Sequence, residues 1–467
     1  MHDQWATSAG DDLHLDLRGP RLREGLMEAL RDAIRTGRLA PGAKLPSSRT
    51  LGADLGIARN TVAQAYAGLV AEGWLTARQG AATRVAAHAA TATAPAKATP
   101  RPTTRHRHVH DLRSGLPDTS TFPRVEWAKA TRRALAAAPD DAFGFPSPRG
   151  RAELRTELAS YLARTRGVRT HPDHIIICSG VTHGLLLLAE VMKHRGTPEI
   201  AVESYGLYAH RRRLTAAGIH TPPVPIDADG ARTDRLDELP GAGAVLLTPS
   251  HQFPTGVALH PDRRMAALDW ARRTGGLVLE DDYDGEFRYE RGPVGALQGL
   301  DPDQVVYLGT SSKALSPGLR LGWLVLPPRL APAVAKAKGD HDLHCSTVDQ
   351  LAMAEFLSSG GYDRHIRTMR QYYRRRRDQL VAALAEHCPE AAVTGLSAGL
   401  HALVELPSGN ESAVVQGSAW QDLAVHGLDR FRHPDVEAER DALVIGYGTP
   451  SASAWSGTLA ALCRVLP

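Results

Sequence analysis

Between residue 111 and the end, five short apolar runs recur among helical patterns, and this alternation restricts the fold more than any other feature. The runs are Ile175-Ile176-Ile177-Cys178, Val245-Leu246-Leu247, Leu277-Val278-Leu279, Val305-Val306-Tyr307-Leu308 and Leu324-Val325-Leu326. Continuous runs this short fit strands buried on both faces. Alternating with helices, they predict a large α/β domain with a mostly parallel sheet over 111–467. Several runs are followed by Gly, Ser, Thr or Asp residues, and open parallel sheets place ligands beyond the carboxyl ends of their strands. Chemistry is therefore expected in the loops that follow the runs.

At 467 residues the chain has room for two to four domains, taking roughly 100–200 residues for each. Its 43% apolar content supplies a core and excludes a collagenous or wholly disordered chain. No run of about 18 apolar residues occurs, so no membrane span is expected. Met1-His2-Asp3-Gln4 lacks a basic segment followed by an apolar one, so no secretory leader is expected either. Cys178, Cys345, Cys388 and Cys463 are scattered without metal-ligand spacing. They fit free thiols in a reducing cytoplasm, with no bound metal. A net charge of +4 is small for this length, so a nucleic-acid surface must be local.

Such a surface is expected at the N-terminus, over 12–85. Pro41-Gly42-Ala43-Lys44-Leu45-Pro46 is a turn-rich entry, and Ser47 or Ser48 can cap a helix running through Leu51 to Leu55. Gly56 breaks it, and Ile57-Ala58 leads into a second helix. There Val62, Tyr66, Leu69 and Val70 fall at i, i+4, i+7 and i+8 and share a buried face. Arg59, Asn60, Thr61 and Gln64 occupy the other face near its start. Gly73 ends the helix, and Trp74–Arg78 and Thr83–Val85 read as two strands around Gln79-Gly80-Ala81-Ala82. Helix, tight turn, helix and hairpin make a winged helix-turn-helix, whose second helix enters the major groove of double-stranded DNA. Arg can read guanine, Asn or Gln can read adenine, and Thr can contact phosphate. Arg49 on the preceding helix is a further phosphate or base contact. Residues 86–110 then hold Ala, Thr and Pro with Lys97, Arg101, Arg105 and Arg107 and no acid, which predicts a flexible linker.

In the large domain, Thr310-Ser311-Ser312-Lys313 directly follows one apolar run. A lysine there can form a Schiff base with an aldehyde cofactor, while Ser311 and neighbouring hydroxyl and N–H groups hold its phosphate. Arg320, in Pro317-Gly318-Leu319-Arg320, can add a forked phosphate contact. Leu277-Val278-Leu279 runs into Glu280-Asp281-Asp282-Tyr283. Pyridoxal 5'-phosphate needs both a lysine and an acid that keeps its ring nitrogen protonated. Asp281 is assigned to that nitrogen and Tyr283 to the ring oxygen, with Asp282 and Asp284 as alternative acids. Ser179-Gly180-Val181-Thr182-His183-Gly184 opens an apolar helix and offers Gly180, Val181 and Thr182 as a phosphate cradle. In Thr248–Gly256, His251 or Gln252 can reach the ring oxygen.

Two resemblances join these readings. Leu45-Pro46-Ser47-Ser48-Arg49, Arg59-Asn60-Thr61-Val62, Ala65-Tyr66, Leu69 and Glu72-Gly73-Trp74-Leu75 resemble the GntR family of bacterial regulators. By that resemblance Arg49, Arg59, Asn60, Thr61 and Gly80 contact DNA, although Ala82 stands near where a second wing glycine is usual. The four C-terminal pieces, with Asp111–Asp118 and Phe122-Pro123, resemble fold-type I aminotransferases over nearly all of 111–467. Together the modules match the MocR subfamily. The resemblance implies pyridoxal phosphate on Lys313 and a head-to-tail homodimer in which each reader packs on the partner's large domain. It also implies a small effector, either pyridoxal phosphate itself or an amino compound.

The chain departs from the aminotransferase pattern at several positions. Phe143-Gly144-Phe145 stands where a Tyr is common, and Phe253 replaces the Asn that precedes Pro in catalytic aminotransferases. Glu203-Ser204-Tyr205-Gly206-Leu207-Tyr208 replaces a loop whose aromatic ring stacks on the cofactor, leaving Tyr205 or Tyr208 for that role. Leu443-Val444-Ile445 carries no Arg for a substrate carboxylate, so Arg430 and Arg432 are the candidates. The expected function is a pyridoxal-phosphate-dependent transcriptional regulator without sustained turnover, with at most a partial transamination. The alternatives are a working aminotransferase with a DNA reader attached, and a large domain that only dimerises.

Overall fold

In the computed structural model, residues 6–8, 11–13, 22–78, 81–87, 109–289 and 294–466 are described. The chain divides into two units, Met1–Arg107 and His108–Pro467. Most of the expected linker, 88–108, lies outside the described residues.

The first unit contains helices α1 (Leu22–Arg35), α2 (Ser48–Asp54) and α3 (Arg59–Ala71) and strands β1 (Leu75–Thr76) and β2 (Arg84–Val85). Ser47, rather than Ser48, caps α2: its hydroxyl accepts from the Thr50 N–H at 3.1 Å. Gly56 turns the chain at φ +64°, a conformation that favours glycine. One face of α3 buries Val62, Ala65, Tyr66 and Leu69. They pack with Leu26, Leu30 and Ile34 of α1 and Leu51 and Leu55 of α2. Opposite this core, Arg59, Asn60 and Gln64 are exposed. The antiparallel β1–β2 pair is shorter than the sequence predicts, and a bridge from Lys44 to Arg84 widens it into a wing.

The second unit is organised on a seven-stranded sheet. Its strands are β3 (Ile175–Cys178), β4 (Ile200–Glu203), β5 (Pro223–Val224), β6 (Ala244–Leu247), β7 (Leu277–Asp281), β8 (Val305–Thr310) and β9 (Gly322–Val325). Their spatial order is β3-β9-β8-β7-β6-β4-β5. All neighbours are parallel except β9, which runs antiparallel to both β8 and β3. Alternate side chains enter opposite layers. Ile176 and Cys178 join Leu185 and Leu188 on one face, while Ile175 and Ile177 join the other. Each of the five runs read as strands is a buried strand here. Four further strands, Ala392–Thr394, Ala402–Glu405, His426–Gly427 and Ala442–Ile445, form a smaller antiparallel sheet after the long helix Gly361–His387.

A buried ion pair fastens the end of β7. Arg166, at the end of helix Ala152–Arg166, donates from Nε and Nη2 to Asp282 at 2.6 and 3.0 Å. The Tyr307 hydroxyl donates to the same carboxylate at 2.8 Å. Burial opposes the guanidinium charge, but Asp282 outweighs it and raises the Arg166 pKa. Removing one partner of such a pair strands the other charge. Arg166→Leu should therefore cost roughly 3–5 kcal/mol of stability in guanidinium denaturation. Arg166→Leu/Asp282→Leu should recover much of that loss.

Candidate functional site

A cavity of about 240 Å³ opens at the carboxyl ends of β3, β4, β6, β7 and β8. Every strand-end loop singled out in the sequence arrives at this edge. Gly180, Val181 and Thr182 line one wall, at the N-terminus of helix Val181–His194. The wall exists because two backbones meet without side chains. A Cβ on Gly322 would lie 2.7 Å from the Gly180 Cα, and Gly180 itself has φ +88°. Thr310, Ser312, Lys313 and Arg320 line the adjoining wall, and Asp281, Tyr283 and Asp284 the third.

Lys313 donates to the Gly115 carbonyl, so the Asp111–Asp118 segment contributes to the site through its backbone. Burial depresses the Lys313 amine, while Asp284 and Asp281 oppose that shift. Asp281 is the opposite case. Burial pushes its carboxyl from 3.8 up to about 8, Lys313 opposes this, and Asp282, Glu203 and Asp284 add to it. Its Oδ1 is buried without a hydrogen-bond partner. Of the alternative acids, Asp282 is consumed by Arg166, and Asp284 faces His251 Nδ1 at 2.9 Å. Tyr283 donates to the His251 carbonyl at 3.0 Å.

Several expected residues are not brought into the cavity wall. Ser311 turns inward, its hydroxyl donating to the Leu321 carbonyl at 3.1 Å, and Thr310 and Ser312 flank the cavity in its place. Tyr205 packs among Phe253, Phe431 and Leu403, so its ring sits behind the wall, and Leu207 lines the cavity where an aromatic was expected. His251 and Gln252 are buried outside the wall, whereas Phe253 is in it. Arg430 and Arg432 also stand apart. Arg430 stacks 4.5 Å over the Tyr208 ring, and Arg432 is paired with Asp429 at 2.6 Å.

The sequence reading missed His210, Arg211 and His401, all of which line the cavity. His210 and Arg211 sit in the first turn of helix Tyr208–Ala216, and no motif marks them. Burial, Lys313 and Arg213 push the His210 imidazole down to about 4, so it is neutral at pH 7 beside Asp281, 3.8 Å away. Burial, helped by His251 and Lys313, likewise holds His401 well below the usual histidine range. In the first unit, Arg49 and Arg59 are exposed and, among the described residues, neither forms an ion pair, whereas Arg31 and Arg35 are engaged by Glu28. Thr61 is half-buried, and Gly80 lies outside the described residues.

A winged helix joined to an aminotransferase-like cavity defines a class: transcriptional regulators built on an enzyme fold. The aminotransferase class I and II family matches residues 107–427, and the gntR family of bacterial regulatory proteins matches residues 22–85. The chain is 32% identical over 382 residues to the probable rhizopine catabolism regulatory protein MocR of Rhizobium meliloti, covering 78% of this chain and 77% of that one. It is 33% identical over 429 residues to the HTH-type pyridoxine biosynthesis transcriptional regulator PdxR of Corynebacterium glutamicum, covering 91% of each. The multiple substrate aminotransferase of Thermococcus profundus superposes with a TM-score of 0.70 at 25% identity, over 78% of this chain and 92% of that one. The protein belongs to the MocR branch of the GntR family and is a DNA-binding regulator with an aminotransferase-like domain. Among the described residues, no helix is long and apolar enough to cross a membrane.

The charge state of Asp281 yields a test. Its pKa rises on folding, so the folded chain binds a proton that the unfolded chain releases. That stabilisation is complete below about pH 4 and is lost as pH rises towards 8. Without added cofactor, wild-type stability should fall between pH 5 and 8. Asp281→Asn should flatten the fall by up to about 1.4 kcal/mol per pH unit, read from denaturation midpoints.

Proposed function

We propose that this regulator binds pyridoxal 5'-phosphate at Lys313, and that occupancy of the cavity, alone or with an amino compound, sets how tightly the winged helix holds its operator. The observation that carries this reading is the unpartnered, buried Asp281 Oδ1 in the same cavity as Lys313. A buried carboxylate oxygen without a partner is costly unless a ligand supplies a donor. The residues fit the cofactor. When bound, pyridoxal phosphate supplies an aldehyde for a lysine amine and an electron-withdrawing ring.

Asp281 would accept from the ring N–H, and a positive charge there would hold it ionised against the burial that now raises its pKa. Lys313, whose amine is depressed by burial, would present a neutral nucleophile more readily than a surface lysine. The helix N-terminus at Gly180–Thr182, the Ser312 hydroxyl and Arg320 would hold the phosphate. Tyr283 would lie beside the ring oxygen.

On the DNA side, exposed Arg59 and Asn60 at the start of α3 would meet base edges, with Arg49 and Thr61 nearer the backbone. The exposed rings of Phe143 and Phe145 support a homodimer, since exposed aromatics are enriched at interfaces. The head-to-tail arrangement and a cytoplasmic location belong to the same reading.

The purified protein should gain absorbance near the visible edge with pyridoxal phosphate and lose it on borohydride reduction. Lys313→Ala should lack the reducible species while keeping its fold; its persistence in that variant would refute the assignment. A labelled operator titrated at fixed salt, with and without pyridoxal phosphate and amino acids, should show altered affinity or bending in wild type, and the response should be blunted in Lys313→Ala. Unchanged affinity and bending would remove the cofactor as signal, and multiple turnover of an amino acid with a keto acid would make the domain an enzyme. Arg59→Ala should cost about 1–3 kcal/mol on the operator. A loss of equal size on random DNA would make Arg59 a phosphate contact.

A further inference from the structure

We propose that His251, Asp284 and His401 form a binding site for a divalent transition-metal ion of the zinc class, with open coordination positions facing the cavity. The proposal goes beyond the cofactor reading and does not rest on it. Among the described residues, these three make the one group of His, Cys and acidic side chains whose ligand atoms all lie within 4.8 Å of one another. They come from three separate segments: the loop after β6, the loop after β7 and the residue before strand Ala402–Glu405.

The residue types suit such an ion. Two imidazoles and one carboxylate are a recurrent ligand set for zinc and other divalent transition ions, and they leave positions open for a further ligand. His251, Asp284 and His401 are 3%, 3% and 4% exposed, so water does not compete for them as it does at a surface pair. Asp284 and His401 line the cavity and His251 lies outside its wall, so the open side of the cluster is the cavity side. A molecule in the cavity with a nitrogen or oxygen donor would complete the ion's shell.

A hydrogen-bonded imidazole–carboxylate pair would by itself account for His251 and Asp284, whose Nδ1 and Oδ2 are 2.9 Å apart. It does not account for His401. The His401 ring lies 4.9 Å from the His251 ring, and its Nε2 is buried with no hydrogen-bond partner. Its other nitrogen, Nδ1, is bonded to the Pro254 backbone, which offers only a carbonyl. Nδ1 therefore carries the proton, and Nε2 presents a bare lone pair. An imidazole that donates from one nitrogen to a backbone carbonyl and keeps the other free is oriented as metal-bound histidines are. Gly399 keeps the space beside the pair clear: a Cβ there would lie 2.3 Å from Asp284 Oδ2 and 2.6 Å from His251 Nδ1.

The test uses the full-length protein freed of cofactor and metal by dialysis against a chelator. Zn²⁺ is titrated in competition with a chromophoric chelator, Co²⁺ is followed by its visible d–d absorbance, and Mg²⁺ serves as a hard-ion control. Wild type should bind one Zn²⁺ or Co²⁺ tightly per chain, and Mg²⁺ should displace neither. His401→Ala and His251→Ala should each weaken Zn²⁺ binding by more than about 100-fold, since loss of a mere outer partner of a ligand costs roughly 10–100-fold. His401→Cys, which replaces the nitrogen with a thiolate, should keep the ion and add a sulfur-to-cobalt charge-transfer band. His341→Ala, at an exposed pair with Glu190, should bind like wild type. Absence of tightly bound Zn²⁺ in wild type, undiminished affinity in His401→Ala and His251→Ala, or a His401→Cys protein without the new band would overturn the proposal. Because that band reports a gained ligand rather than a loss, misfolding cannot produce the expected result.

Discussion

The site depends on the pair that holds Asp282. Adjacent residues at a strand end point to opposite sides. Because Arg166 and Tyr307 draw the Asp282 carboxylate to one side, Asp281 and Tyr283 are delivered to the other, into the cavity. The same guanidinium reaches the Ser250 hydroxyl at 2.8 Å and the Val294 carbonyl at 3.0 Å. One charge thereby ties together the loops after β6 and β7 and a helix from far upstream. Such a pair adds little stability for its own sake; its value lies in fixing where its neighbours point.

The cavity also shows how one strand end can carry acids with different duties. Glu280 is fully buried and accepts from the Leu297 and Gln298 N–H groups at 2.8 and 2.9 Å, so it anchors the chain beyond β7. Asp282 is spent on Arg166. Asp284 faces His251. Asp281 alone of the four has a buried oxygen without a partner. Four acids within five residues thus separate into three structural anchors and one open acceptor, and the separation is made by their neighbours rather than by residue type.

That separation explains what was legible in the sequence. The apolar runs announced the strands because full burial on both faces demands continuous apolar side chains, and the loops after them carried Lys313, Asp281 and Gly180. The reader was legible because Val62, Tyr66 and Leu69 repeat at helical spacing and Gly56 and Gly73 mark the turns. Strand Ile200–Glu203 was missed, since its run is brief and ends in a buried Glu whose hydrogen bonds come from Thr248 and Gln252. Ser311 and Tyr205 were placed one residue or one layer away from the wall, because local sequence does not tell which of two neighbouring side chains turns inward. His210 and Arg211 were not legible for a related reason: nothing in a linear pattern tells that the first turn of their helix faces the cavity.

The two bare backbones that meet at Gly180 and Gly322 come from parts of the chain that leave the ribosome far apart. Cys178 and Gly322 are register partners, and among the described residues β3 is the outermost strand on its side of the sheet and pairs only with β9. Everything from helix Val181–His194 through β8 must emerge before that neighbour exists. Throughout that interval three consecutive isoleucines have no strand to pair with, in a segment rich in the β-branched residues that favour intermolecular pairing. The closing of the cavity wall at Gly180 is thus a late event in synthesis, because it needs β9.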